Sequence, residues 1–393
     1  MAETIVIAGA ARTPIGGFQG EFVSLTASAL GGLAIAAAMK DAAASPDRVD
    51  ELLMGNVLCA GQGQAPARQA AFAAGLTAQV PATTLNKMCG SGMKAVMLCH
   101  DLLMAGNGAV MIAGGMESMS NAPYLLPKMR TGARIGHVEA KDHMFLDGLE
   151  DAYEPGRLMG SFAEDCAQKY QFTREQQDAY ALRSLNAALT AEAEGRFARE
   201  IAPVNLTGRD GAVAISSDEQ PRKARPEKIP LLKPAFRKHG TITPANASSI
   251  SDGAAALVLA RESVLQKTGL EARARIVGHA SHAQEPAWFS TAPIPAIRKL
   301  LEKIGWGAGE VDLWEVNEAF AVVPMAVERE LGISRDRLNI HGGACALGHP
   351  IGASGARIVV TLLNALETHG FRRGIAAICI GGGEATAIAI ERI

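Results

Sequence analysis

Two cysteines and one histidine stand in settings suited to chemistry. Cys89 lies in Thr-Leu-Asn-Lys-Met-Cys-Gly-Ser-Gly-Met-Lys, and Cys379 lies in Ala-Ile-Cys-Ile-Gly-Gly-Gly-Glu. Each ends a short apolar run and is followed by glycines, which permit a tight turn and bring backbone N–H groups close to whatever the sulfur touches. His349, in Ala-Leu-Gly-His-Pro-Ile-Gly-Ala-Ser-Gly, sits in a glycine-rich loop from which a ring can point into a cleft. A nucleophile, a base and a second sulfur are the parts needed for acyl transfer through a thioester.

A free thiol is mostly protonated near neutral pH, so a nucleophilic cysteine needs a helix N-terminus, a cation or a base nearby. Helical spacing of Met93, Val96, Met97, Leu103 and Met104 predicts a helix over 91–106 that Cys89 would open. Cys59, Cys99, Cys166 and Cys345 read as structural thiols. Asn317, in Leu-Trp-Glu-Val-Asn-Glu-Ala-Phe, falls where an apolar strand runs into a helix. Its amide could orient a water or an oxygen, or simply cap the helix. His100 lies on the apolar stripe of the 91–106 helix and reads as a hydrogen-bonded core residue; His341 fits either a structural or a functional role.

A chain of 393 residues with 48% hydrophobic and 20% charged residues predicts two or three packed globular units. Its formal charge of -2 offers no general attraction to nucleic acid or to an anionic membrane. Apolar stretches fall short of the roughly 18 residues of a transmembrane helix. A strand expected from Thr4 leaves no room for a signal segment, and the Ile-Glu-Arg-Ile end is no peroxisomal tripeptide. Six scattered cysteines without Cys-x-x-Cys spacing point to a cytoplasmic protein and give no metal cluster, so neither zinc nor another metal is expected. Dinucleotide, Walker-type and nucleophile-elbow serine motifs are absent.

The elements that would position these residues alternate: strand over 4–10, helix over 26–44, strand over 51–57, helix over 65–74. The segment Ser91-Gly-Met-Lys-Ala-Val, followed by Ala-Gly-Gly-Met-Glu, is echoed by Ser354-Gly-Ala-Arg-Ile-Val, followed by Gly-Gly-Gly-Glu. This suggests a duplicated unit whose copies meet at a shared site. From about Ser120 to Ala247 charges and prolines rise, as in an inserted loop region, with a capped helix starting at Thr173 and Gln176.

Asn-Lys-Met-Cys-Gly-Ser-Gly, Asn-Glu-Ala-Phe, the His349 loop and Cys-Ile-Gly-Gly-Gly-Glu resemble the thiolases in order and spacing, as does Ala-Arg-Thr-Pro-Ile-Gly near the start. Asn-Ala-Ser-Ser-Ile-Ser-Asp-Gly at 246–253 and Lys-Pro-Ala-Phe at 233–236 are similar to the short-chain acetyl-CoA acetyltransferase branch. The resemblance implies an α/β thiolase fold with a duplicated five-layered αβαβα core. The halves would be 1–119 with 248–270, and 271–393, with 120–247 as a loop domain over the coenzyme A site. It also implies a homotetramer acting on acyl-CoA and CoA, with no separate cofactor, in reversible Claisen condensation of two acetyl-CoA. A 3-ketoacyl-CoA thiolase for longer or branched chains is the alternative.

Carried over by motif, Cys89 would be the acylated nucleophile, His349 the base that activates it, and Cys379 the acid/base at the α-carbon. His349 and a water on Asn317 would form one oxyanion hole, and the N–H groups of Cys89 and Gly381 the other. Ser248, Phe236, Ile250, Ala319 and Phe320 would line the pantetheine path, and basic residues around Arg222 would meet the nucleotide phosphates. In Arg157-Leu158-Met159-Gly160, Leu158 takes the place of the histidine common in acetoacetyl-CoA thiolases, and Phe289 stands where those enzymes often have methionine. Cys89 and Cys379 facing one cleft could also be joined by an oxidant.

Overall fold

The computed structural model describes residues 3–208 and 211–393. The strands expected near the N-terminus form at Ile5–Arg12 and Glu51–Gly55, the helices at Ala27–Asp41 and Pro66–Ala73. Each lies within a few residues of its sequence-based bounds.

A ten-stranded mixed sheet runs in the order Leu313–Val316, Arg373–Ile380, Glu384–Arg392, Ala274–Ala283, Ile5–Arg12, Ser251–Arg261, Val110–Ser118, Glu51–Gly55, Ala82–Leu85, with Gly16–Gly17 pairing beside Ser251–Arg261. Its halves join where Val6 and Ile7 pair antiparallel with Arg275 and Ala274. Parallel pairing is confined to the two ends, Glu51–Gly55 with its two neighbours and Leu313–Val316 with Arg373–Ile380. Strand–helix–strand crossovers require this placement.

Strand residues point alternately to opposite faces, and the core divides accordingly. Val6, Leu52, Met54 and Ile112 meet the outer helix Ala27–Asp41, while Ile5, Ile7, Leu53 and Met111 turn inward. In the other half Ile375 and Ala377 meet the outer helix Pro293–Ile304, and Ala376 and Ile378 turn inward. Between the two sheet halves lie the helices Ser91–Met104 and Ile351–Thr368, buried together. Helix, sheet, paired helices, sheet, helix makes the five layers.

The sequence echo is thus structural, because Ser91–Met104 and Ile351–Thr368 are the equivalent helices of the two halves. Their approach depends on glycine: a Cβ at Gly92 would lie 2.7 Å from the Ala356 nitrogen, and one at Gly355 would lie 2.4 Å from the Met93 nitrogen. Among the described residues, the main sheet draws no strand from 119–250. That stretch carries the helices Met159–Tyr170 and Arg174–Ala193 and two short hairpins. Thr173 and Gln176 form the expected capping box.

Candidate active site

Cys89 sits between the strand Ala82–Leu85 and the helix Ser91–Met104, one residue before the Gly90 cap. The preceding residue, Met88, has φ 48°, a left-handed conformation costly for a side chain of this size. Two bonds from Ser91 hold that turn: Lys87 N–H donates to its Oγ at 2.8 Å, and the hydroxyl donates to the Met88 carbonyl at 2.6 Å. The strained turn projects the thiol off the end of the helix.

His349 occupies the equivalent place before the helix Ile351–Thr368. Gly348, with φ 109°, turns the chain, and His349 N–H donates to the Ser249 carbonyl at 3.1 Å. The ring Nδ1 is 2.5 Å from Ser354 Oγ, and that hydroxyl donates to the Pro350 carbonyl at 2.9 Å. Its single proton being committed, Ser354 accepts from Nδ1–H, so Nε2 carries the free lone pair. Nε2 is 3.5 Å from Asn317 Nδ2. Asn317 is fully buried and its Oδ1 has no partner within the protein.

Cys379, on Arg373–Ile380, is buried, and Gly381 two residues on directs its N–H at the Cys89 sulfur. Burial pushes the Cys89 thiol up to about 11, opposed by the N–H groups of Gly381 and Cys89 itself. Burial, then the nearby Cys89, hold Cys379 far above the ordinary thiol range. Burial, then Arg357, push His349 down to about 3. Near neutral pH the resting site therefore holds two thiols and a neutral imidazole.

An apolar cavity of about 380 Å³ opens onto this group. Its walls include Cys89, His349 and Gly381, and also Leu158, Met159, Phe236, Ser248, Ile250, Phe289, Ala319 and Phe320, all singled out from sequence. Phe320 meets Phe236 and Phe289 edge to face, with ring centroids 6.0 and 6.3 Å apart. Ser248 donates its hydroxyl to the Ala319 carbonyl at 3.0 Å. Ser249, Ile351 and the Phe145–Leu149 turn also line the cavity and were not anticipated.

Arg222 lies outside the apolar cavity, where Glu21 holds its guanidinium at 2.9 Å and its Nε donates to the Asp218 carbonyl at 3.1 Å. Lys223, Arg225 and Lys228 of the same run line a second recess of about 330 Å³ that shares Pro244 and Ser249 with the apolar cavity. The buried His341 lies elsewhere, its Nε2 3.0 Å from His369 Nε2 and its ring edge to face with Phe197.

Two family models, the thiolase N-terminal domain over residues 5–263 and the thiolase C-terminal domain over residues 259–392, together match nearly the whole chain. The chain belongs to the thiolase family. This thiolase is 47% identical over 392 residues to a probable acetyl-CoA acetyltransferase of Dictyostelium discoideum, covering 100% of this chain and 94% of that one. It is 48% identical over 390 residues to acetyl-CoA acetyltransferase 2 of Arabidopsis thaliana, covering 98% and 96%. The crystal structure of the Acat5 thiolase of Ascaris suum in complex with coenzyme A has a TM-score of 0.94 and 42% identity, with 99% and 100% covered. That of the Bacillus anthracis acetyl-CoA acetyltransferase has 0.96 and 41%, with 100% and 99% covered. Membership in this family makes the chain an acyltransferase, and among the described residues no helix is long and apolar enough to cross a membrane.

Proposed function

We propose that the chain is an acetyl-CoA C-acetyltransferase that interconverts two acetyl-CoA with acetoacetyl-CoA and CoA through an acetyl-Cys89 intermediate. The observation that carries the reading is the convergence of Cys89, the free Nε2 side of His349 and the Gly381 N–H on one apolar cavity, with Cys379 beside them. The names of the relatives supply the substrate class.

In thiolysis, Cys89 passes its proton to His349 Nε2, and the thiolate attacks the 3-keto carbon of acetoacetyl-CoA. The tetrahedral oxyanion is stabilised by N–H groups or by His349 with a water on Asn317. The bond between the α-carbon and the keto carbon breaks, and Cys379 donates its proton to the departing enolate, releasing acetyl-CoA. The incoming CoA thiol gives its proton to the Cys379 thiolate and attacks acetyl-Cys89. Cys89 leaves as thiolate and recovers its proton from His349. Condensation is the reverse sequence.

Cys379 rests as a thiol with a proton to give, and His349 rests neutral with a lone pair to receive one. Leu158 and Phe289 give the cavity an apolar wall, and the names of the relatives, rather than this wall, favour acetoacetyl-CoA over longer or branched chains. The recess with Arg225 and Lys228, beside the Lys223–Glu219 ion pair, offers cations for the CoA phosphates, with no cofactor beyond the CoA thioesters. Residues 1–119 with 248–270 and 271–393 would be the duplicated halves, and 120–247 the loop domain over the CoA site. A cytoplasmic homotetramer is the assembly proposed, supported by the open edge strand Ala82–Leu85 and by the exposed Tyr124, Met129 and Ile135. The test is steady-state thiolysis of acetoacetyl-CoA beside C6 to C10 3-ketoacyl-CoA. Higher kcat/KM for acetoacetyl-CoA supports the reading, and preference for the longer chains refutes it.

A further inference from the structure

Helix Ser91–Met104 carries Cys89 just ahead of its N-terminus, and its other end holds a side-chain cluster that the acyl transfer does not use. His100 and Asp101 meet His279, from the strand Ala274–Ala283, across the boundary between the central helices and the second sheet half. His100 Nδ1 is 3.0 Å from Asp101 Oδ1, and His279 Nε2 is 2.8 Å from the same oxygen. The two imidazoles stand edge to face at 88°, with centroids 5.1 Å apart. The three donor atoms all lie within 4.8 Å of one another.

We propose that His100, Asp101 and His279 form a binding site for a divalent transition-metal cation of the zinc, cobalt or nickel class. Two imidazole nitrogens and one carboxylate oxygen are the donor set such ions select. On a tetrahedral ion with bonds of about 2.0–2.1 Å, donor atoms stand about 3.3–3.4 Å apart, so each histidine nitrogen would move roughly 0.5 Å away from the Asp101 oxygen. Two imidazoles sharing one such ion have centroids about 5 Å apart, which the rings already satisfy.

Both histidines are only slightly accessible, whereas the Asp101 side chain is 53% exposed, leaving an entry path and a fourth position for water. Lys303 Nζ, which donates to the His279 carbonyl at 3.2 Å, is a nearby cation that would oppose binding.

Such an ion would fasten the helix that follows the nucleophile to a strand of the other half. Spacing along the sequence could not reveal the cluster, since Asp101 and His279 are 178 residues apart.

The experiment is equilibrium dialysis of the full-length protein against Zn²⁺ near neutral pH, with Co²⁺ as a spectroscopic probe. Wild type, Cys89→Ala, Asp101→Asn and His279→Gln are compared, with circular dichroism to establish that each is folded. The inference predicts one ion per chain in wild type and in Cys89→Ala, and binding at least tenfold weaker in Asp101→Asn and His279→Gln. It predicts a Co²⁺ spectrum without a sulfur-to-cobalt charge-transfer band, and binding lost as pH falls through the histidine range. No stoichiometric ion in wild type, unchanged affinity in the exposed-site variant Asp101→Asn, or a charge-transfer band reporting thiolate ligands would each overturn it.

Discussion

Ser354 Oγ lies 2.5 Å from His349 Nδ1 and spends its own proton on the Pro350 carbonyl at 2.9 Å. This pair decides which imidazole nitrogen is basic. Ser91 serves the other half in kind, receiving Lys87 N–H and donating to the Met88 carbonyl beside Cys89. The two serines of the echoed motif therefore brace the two loops that carry the nucleophile and its base.

Ser354→Ala removes the acceptor for Nδ1–H and lets the ring adopt the other tautomer or rotate. Loss of one such bond is worth about 1–1.5 kcal/mol, so kcat should fall about tenfold. Because Ser354 is remote from the CoA arm, KM for acetoacetyl-CoA should hold within a factor of two. A change confined to KM would contradict the positioning role.

Cys379→Ser should separate the half-reactions. Cys89 still accepts an acetyl group from acetyl-CoA, since His349 and the Gly381 N–H are untouched and CoA can depart as a thiolate without the Cys379 proton, but proton transfer at the α-carbon is impaired. Condensation should fall by about two to four orders of magnitude, the usual worth of a positioned acid or base. Formation of the acetyl-enzyme should persist, as read by quenched-flow mass analysis.

His349 stays neutral in the folded protein down to about pH 3, whereas in the unfolded chain it protonates near its ordinary value of 6.5. Between those limits the unfolded state binds more protons, so this residue's contribution to stability is present above 6.5 and is lost as pH falls. From pH 7 to pH 5 the loss is about 2 kcal/mol from this group. His349→Gln should lose correspondingly less stability over that interval in urea unfolding. An equal loss in both proteins would show that the imidazole is not the responsible group.

Gly160, the second residue of the helix Met159–Tyr170, lies against Phe236, and a Cβ there would stand 2.3 Å from the ring. Gly160→Ala must displace Phe236 into the cavity or push the helix outward. Overpacking of this kind costs about 1–3 kcal/mol. A lower Tm together with a raised KM for acyl-CoA is expected; a variant with unchanged Tm and KM would mean that the wall yields freely.

Much of the fold was legible because its signals are local. Apolar runs ended by glycine marked Ile5–Arg12 and Glu51–Gly55, and Thr173 with Gln176 marked a helix start through a contact only three residues long. The resemblance to the thiolases then placed Cys89, His349, Asn317 and Gly381 together. What escaped depends on side-chain direction or on distant segments. Arg222 belongs to a basic run, but Glu21, far away in sequence, holds it while Lys223, Arg225 and Lys228 face the recess. Ser354 was visible as part of the repeat, yet its bond to His349 depends on how the loop at Gly348 turns. His100 was read as a hydrogen-bonded core residue, and only the meeting of helix and strand exposes its partner His279.

The most direct measurement is intact-mass spectrometry of wild type and Cys89→Ala after brief exposure to acetyl-CoA and acid quench. The account predicts one acetyl adduct in wild type, mapped to Cys89, and none in the variant. An adduct that persists in Cys89→Ala, or none in a wild-type sample that turns over acetoacetyl-CoA, would contradict an acetyl-Cys89 intermediate.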